Sequence, residues 1–378
     1  MSRFLIGCGG TGGHLSPGIA LAEVLVARGH HCALLVSTKQ IDARLAKKYE
    51  HLDFVAMPGA GFSFRPAGFG RFLSGQARGL AFASATIRTY LPDLVVGFGG
   101  FTTMALALAA RTRPNGPRVA LHEANRVPGR AIRLAARVAA RVYLPPGVNR
   151  RGLRAKLVRH CGMPVRRELV RQSTLRARQA LGFDPERRVL LVFGGSQGAR
   201  PLNDWIAASL PQLALENIQV LCITGPGKGV EGRVEHSSRE GRPVRALFLP
   251  FSDDMATILS AADLAVSRAG AGTIAEFIRM QVPAILVPFP EAADNHQLYN
   301  ARFFEQQGGG FVLGQTFLAD LAREVLEVMS NEWLMRQFRY NLQRLDRDDA
   351  AEYMATDLER LLREIPARAL RAPATANA

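Results

Sequence analysis

The chain repeats one pattern: a short unbroken apolar run, a glycine-rich turn, then a longer stretch with apolar residues at helical spacing. Unbroken runs such as Phe4-Leu5-Ile6 and Val189-Leu190-Leu191-Val192-Phe193 suit strands covered on both faces, the condition of a parallel sheet. They predict strands over 3–7, 32–37, 53–57, 93–98, 118–122 and 141–144, then over 188–193, 219–223, 245–249, 263–267 and 284–288. Helices are predicted at 17–28, 69–90, 129–140, 272–280 and 293–307, with another at 350–365. Strand and helix alternating in two successive blocks predict an α/β protein of two domains. The break falls near Cys161-Gly162-Met163-Pro164, giving a first domain over 1–162 and a second over 163–348. A helix over 349–365 is expected to pack back on the first domain, and the Ala- and Pro-rich tail 366–378 is expected to be flexible.

Two glycine loops occupy matching places in the blocks. Gly7-Cys8-Gly9-Gly10-Thr11-Gly12-Gly13-His14 follows the first strand, and Gly194-Gly195-Ser196-Gln197-Gly198 follows the strand ending at Phe193. Strand, tight turn and helix start together present backbone N–H groups and a helix N-terminus to an anion. The chain therefore reads as two Rossmann-like domains facing each other across a cleft. A NAD site would want a carboxylate at the end of the second strand. Here that strand ends Ser37-Thr38-Lys39, which disfavours NAD and leaves only NADP open.

Charge divides the halves. Residues 1–166 hold 24 Lys and Arg against 6 Asp and Glu, a net of +18; residues 167–378 hold 24 against 26, a net of −2. A basic face of this kind attracts a polyanion or an anionic bilayer, with a solvated Arg-rich surface as the plain alternative. The segment 62–90 mixes Phe62, Phe64, Phe69, Phe72, Leu73, Leu80, Phe82 and Ile87 with Arg65, Arg71, Arg78 and Arg88 and has no acidic residue, as a surface lying on an anionic membrane would, with a helix packing its apolar face on the core as the plain alternative. No nucleic-acid motif is present, and no nucleic-acid partner is expected. No apolar run nears the ~18 residues of a membrane span. The N-terminus runs straight into the glycine loop, so no signal peptide is expected. Cys8, Cys32, Cys161 and Cys222 are far apart; reduced thiols are expected and a zinc site is not.

Several residues carry candidate chemistry. His14 closes the first loop and could serve as a base at the cleft. Gly270-Ala271-Gly272-Thr273 opens a helix after a strand, a second anion site, and Glu276 one turn in could hold a ribose diol. Asp294-Asn295-His296-Gln297 follows Val287-Pro288-Phe289-Pro290, where α/β sheets bind ligands; amides there suit sugar hydroxyls. His122-Glu123-Ala124-Asn125 occupies the corresponding place in the first half.

Taken in order, these motifs resemble the MurG family of peptidoglycan glycosyltransferases. The resemblance rests on Gly9–His14 with Pro17, His122-Glu123-x-Asn125 with Pro128-Gly129, Gly162-x-Pro164-Val165-Arg166, Gly194–Ala199, Asp253-Asp254-Met255, and Asp294-x-His296-Gln297 with Asn300. It implies a GT-B fold and an inverting transfer of N-acetylglucosamine from UDP-N-acetylglucosamine to the muramoyl 4-hydroxyl of undecaprenyl-pyrophosphoryl-muramoyl-pentapeptide, called lipid I. The β-1,4-linked product is lipid II. The alternative is another GT-B enzyme using a UDP-sugar and a different lipid acceptor. The resemblance implies no cofactor and no essential metal, and a peripheral enzyme on the cytoplasmic face of the inner membrane, with contacts to other cell-wall enzymes left open. It places Thr11, Gly12, Gly13, Asn125, Arg166, Ser196, Glu276 and Gln297 at donor-contacting positions; Gln197 and His296 join them as binding residues. His14 and Glu123 are the two candidate bases. The chain departs from the family pattern at Phe101, Thr103-Met104-Ala105, Ala124, Met163 and Ser252.

Overall fold

Parallel pairing dominates, as the unbroken apolar runs require. A computed structural model describes residues 1–9, 12–38, 40–58, 66–148, 153, 157–195, 198–346 and 349–364, with backbone alone over 40–43 and 66–74. The chain divides into two compact units: Met1–Ala124 with Pro128–Arg166 and Asp348–Ala378, and Asn125–Val127 with Arg167–Arg347.

The first unit holds β1 (Arg3–Gly7), β2 (His31–Ser37), β3 (Asp53–Met57), β4 (Leu94–Gly97), β5 (Arg118–His122), β6 (Arg141–Leu144) and β7 (Val158–His160), in the order β3-β2-β1-β4-β5-β6-β7. Its helices are α1 (Gly12–Ala27), α2 (Gln40–Lys48), α3 (Pro66–Tyr90), α4 (Gly100–Arg111) and α5 (Arg130–Ala135). Phe4, Leu5 and Ile6 are completely buried, pointing alternately into cores on the two faces of the sheet. Helix α1 begins at Gly12 rather than at the expected 17, which puts His14 in its first turn. Helix α5 stops at Ala135, short of the expected 140. In α3, Ile87 is core, and Leu80 and Phe82 pack against it, so this part of the expected membrane stripe is internal. Phe62, Phe64 and Arg65 and the side chains of Phe69, Arg71, Phe72 and Leu73 lie outside the described residues.

The second unit holds β8 (Val189–Phe193), β9 (Gln219–Ile223), β10 (Gly232–Ser237), β11 (Pro243–Leu249), β12 (Leu264–Ser267), β13 (Ala284–Leu286) and β14 (Gly310–Val312), in the order β10-β11-β9-β8-β12-β13-β14. Only β10, paired with β11, is antiparallel. The helices are α6 (Thr174–Ala180), α7 (Arg200–Leu215), α8 (Met255–Ala261), α9 (Ala271–Met280), α10 (His296–Gln306), α11 (Leu321–Ser330) and α12 (Glu332–Leu345). The expected helix start at 293 is a separate 3-10 turn, Ala293–Asn295, before α10.

Helix α13 (Ala350–Arg363) belongs to the first unit. Its apolar face, Met354, Ala355, Leu358 and Leu361, joins the core under α1. Asp349 caps its start by accepting from Ala351 N at 3.0 Å. Asp357, buried, accepts from the Tyr143 hydroxyl at 2.8 Å and pairs with Arg141 Nε at 2.9 Å. Burial, with Asp357 beside it, pushes the Tyr143 phenol far up, so it stays a donor. At the surface Arg28 pairs with Glu352 and Glu359. His30 accepts from Ser2 N on Nδ1, so its Nε2 carries the proton given to Glu359, 3.0 Å away. Cys8, Cys32, Cys161 and Cys222 are buried thiols; burial pushes the last three up to about 12.

Candidate active site

In the first unit, β1 and β4 are neighbours from which the strand order runs in opposite directions. Open α/β sheets bind ligands at the carboxyl ends of such a pair. The His14 imidazole lies there against the turn after β4. A Cβ at Gly99 would come within 2.8 Å of His14 Nε2, and one at Gly100 within 3.4 Å of Nδ1. Both glycines have positive φ, +113° and +73°, so the turn is open to glycine on two counts. One buried hydroxyl ties the two loops together and a second braces the turn after β4. Thr102 Oγ1 donates to Gly9 O at 3.3 Å and Thr103 Oγ1 to Gly99 O at 2.8 Å, while Gly99 N donates to Thr103 Oγ1 at 2.9 Å. The sequence gives Thr102 no role and marks Thr103 only as a departure from the family pattern.

Beyond β5, Glu123 is buried, and its Oε2 accepts from Gly129 N at 2.7 Å, just ahead of α5. One carboxylate oxygen is thus spent on the backbone. His122 is buried beside it and donates from Nε2 to Gly162 O at 3.1 Å. Desolvation lowers its pKa to about 4, so this ring is neutral. Arg166 is buried at the end of the first unit. Gly13 is exposed in α1, whose first residue is Gly12. Thr11 lies outside the described residues, as do Ser196 and Gln197.

In the second unit the corresponding neighbours are β8 and β12. After β12 the chain enters α9 through Gly270, which offers no side-chain cap, whereas Asp254 caps α8 by accepting from Thr257 N at 3.0 Å. The first-turn N–H groups of Ala271, Gly272 and Thr273 thus remain for an anion. Glu276 is half-buried one turn further on. Arg268 is buried and donates from Nη1 to Val287 O at 3.1 Å and Pro288 O at 3.2 Å and from Nη2 to Gln315. Among the described residues it pairs with no carboxylate, and its guanidinium lies 5.5 Å from the centre of the Phe289 ring.

Helix α10 fixes this loop. Gln297 Oε1 accepts from Ala269 N at 3.2 Å and Phe289 N at 3.0 Å. That settles the amide orientation and leaves Nε2 as a donor. Asn300, one turn on and buried, donates from Nδ2 to Ala269 O at 3.2 Å and to Asn125 Oδ1 at 3.0 Å, and accepts from Arg126 N at 2.9 Å. The Arg126 guanidinium lies 4.1 Å over the Phe303 ring. Gln297 thus bonds directly to the loop ahead of α9, and Asn300 brings Asn125 to the same loop. His296 is turned to its own chain, with Nδ1 2.8 Å from Ala293 O. Among the described residues no three His, Cys, Asp or Glu side chains converge as a metal site would need.

Residues 4–144 match the N-terminal domain of glycosyltransferase family 28, and residues 189–346 match its C-terminal domain. A protein of Opitutus terrae named UDP-N-acetylglucosamine--N-acetylmuramyl-(pentapeptide) pyrophosphoryl-undecaprenol N-acetylglucosamine transferase is 55% identical over 96% of this chain and 96% of its own. One of the same name from Nitratidesulfovibrio vulgaris is 35% identical over 97% of this chain and 99% of its own. Among solved structures, MurG of Acinetobacter baumannii superposes with a TM-score of 0.70 at 24% identity, covering 95% of this chain and 100% of that one. The calicheamicin glycosyltransferase CalG4 superposes with 0.66 at 15% identity, covering 97% and 99%. The fold is the two-sheet GT-B arrangement, and the chain belongs to the family of UDP-N-acetylglucosamine--N-acetylmuramyl-(pentapeptide) pyrophosphoryl-undecaprenol N-acetylglucosamine transferases.

Proposed function

We propose that this chain transfers N-acetylglucosamine from UDP-N-acetylglucosamine to the muramoyl 4-hydroxyl of lipid I, with inversion, to give lipid II. The observation that carries this reading is 55% identity to a transferase of that name over nearly the full length of both chains. Incubation with labelled UDP-N-acetylglucosamine and a lipid I analogue tests it. A β-1,4-linked disaccharide product is expected, and turnover confined to another acceptor would overturn it.

The reaction needs a base at the attacking hydroxyl and positive potential at the departing diphosphate. We assign the base to His14. Its ring sits at the carboxyl end of β1 and β4, whereas Glu123 already gives Oε2 to Gly129 N. Such a base is worth ~10²–10⁴ in rate. For the diphosphate, the uncapped start of α9 and the Arg268 guanidinium supply fixed positive potential without reorganising. Gln297 Nε2 is a donor and so selects an acceptor oxygen on the sugar. Glu276, one turn into α9, is assigned the ribose hydroxyls.

We further assign a peripheral position on the anionic inner face of the plasma membrane. The +18 charge of residues 1–166 supports it. So do Leu108 and Leu134, 44% and 50% exposed on α4 and α5 beside exposed Arg111 and Arg133. No described helix is long and apolar enough to cross a membrane.

A further inference from the structure

The N-terminal ends of β8 and β12, opposite the ends that lead into the glycine loop and α9, border a cavity of about 260 Å³. Arg188 precedes β8, Asp263 precedes β12, and α12 lines the remaining wall with Glu332, Arg336 and Arg339 over a floor of Met329 and Met335. Residues 332, 335, 336 and 339 fall at helical spacing, so one face of α12 looks into the cavity. A strand of four or five residues spans ~13–17 Å, which separates this place from the start of α9.

Positive charge is in excess here, in the half of the chain whose net charge is −2. Asp263 is fully engaged: it accepts from Val189 N at 2.8 Å, from Arg178, and from Arg339 Nη2 at 3.2 Å. Glu332 is exposed and meets Arg188 Nη2 at 3.3 Å, a rim pair of little strength. Arg171 stands close enough to Arg339 for the two to repel. Arg336 donates from Nε to the Glu332 backbone carbonyl at 3.3 Å, and among the described residues its Nη groups have no carboxylate. The lining thus holds three guanidinium groups against two carboxylates, and one of the two, Asp263, also serves Arg178.

We propose that this cavity binds a small multivalent oxyanion of the phosphate class, held chiefly by Arg336 and Arg188. Guanidinium forks match phosphate oxygens two at a time, and the volume lies below that of pockets for drug-sized ligands. The site is separate from the one that performs transfer, and nothing in the transfer reaction requires it.

Trp333, 64% exposed on α12 between Glu332 and Leu334, supplies a local fluorescence signal. The full-length protein is titrated with inorganic pyrophosphate while excess UDP occupies the donor site, and the same titration is followed by calorimetry. A saturable response is expected, with half-saturation raised about tenfold or more by Arg336→Gln and unchanged by Arg323→Gln on α11. A parallel arm replaces pyrophosphate with phosphatidylglycerol vesicles. Arg336-dependent vesicle binding assigns the phosphate to a lipid headgroup, and its absence assigns it to a soluble anion. Neither heat nor signal, or equal responses from the wild type and Arg336→Gln in both arms, overturns the proposal.

Discussion

Asn300 donates through its side-chain amide to Asn125 Oδ1, 3.0 Å away, and with its remaining bonds holds both Ala269 O and Arg126 N. One buried side chain thus joins the segment after β5 to the entrance of α9. Asn300→Leu removes all three bonds and leaves the Arg126 N–H and the Ala269 carbonyl without their partner. Its cost is expected at about 2–4 kcal/mol, read from urea denaturation, together with a larger rise in donor KM than in acceptor KM. A stability change under about 0.5 kcal/mol would show that solvent replaces those bonds.

His14→Ala is expected to lower kcat at least tenfold with little change in donor KM. Glu123→Gln keeps an acceptor oxygen for Gly129 N and is expected to lower kcat only a few-fold. Steady-state kinetics on both variants separate the two carriers of the proton: the opposite ranking would move the base to Glu123.

Glu276→Ala is expected to raise donor KM by roughly 10–100-fold, the loss of charge-assisted hydrogen bonds, with the melting temperature close to wild type. An unchanged KM in a folded variant removes Glu276 from the ribose.

His122 gives a pH signature. Its folded pKa, about 4, lies below the ordinary 6.5. Between those values the unfolded chain takes up a proton that the folded chain refuses, so stability is complete above pH 6.5 and falls as pH drops toward 4. The loss attributable to this ring is up to about 3 kcal/mol. His122→Gln retains a donor toward Gly162 O and is expected to flatten that part of the curve, measured as the difference in urea midpoint between pH 7 and pH 4.5.

Co-sedimentation with anionic vesicles is expected to fall in the variant Leu108→Ser with Leu134→Ser, Arg111→Ser and Arg133→Ser, and to fall for wild type as salt rises. Turnover on a short-chain soluble acceptor is expected to persist. Equal binding to neutral vesicles would remove the electrostatic part of this reading.

The strands read best from sequence where they are buried on both faces. β8 is apolar throughout and β1 and β9 carry the runs Phe4–Ile6 and Val220–Ile223, whereas β10, Gly-Arg-Val-Glu-His-Ser, alternates in exposure at a sheet edge and carries no such signal. β7 and β14 are three residues each, too short for any period to show. Gly12 and Gly13 read as loop because glycine disfavours helix, yet tertiary packing enlists them as the first turn of α1. At the site, the loops and their order were legible. The hydrogen bonds that Gln297, Thr102 and Asn300 make to the loops were not, because each depends on which backbone group a side chain meets after the strands have been brought side by side.

Helix α13 sets the order in which the molecule can be completed during synthesis. The face of α1 that it covers, the Arg141 charge that Asp357 neutralises and the Tyr143 hydroxyl whose bond Asp357 accepts are made early in translation, while their partners are encoded after the whole second unit. On the ribosome the second unit can close as soon as Arg347 clears the exit tunnel. The first must wait, with an apolar groove open, for the last helix to emerge. A fragment ending at Arg166 would remain in that waiting state, so a self-sufficient first unit has to carry residues 349–364 rejoined by a linker.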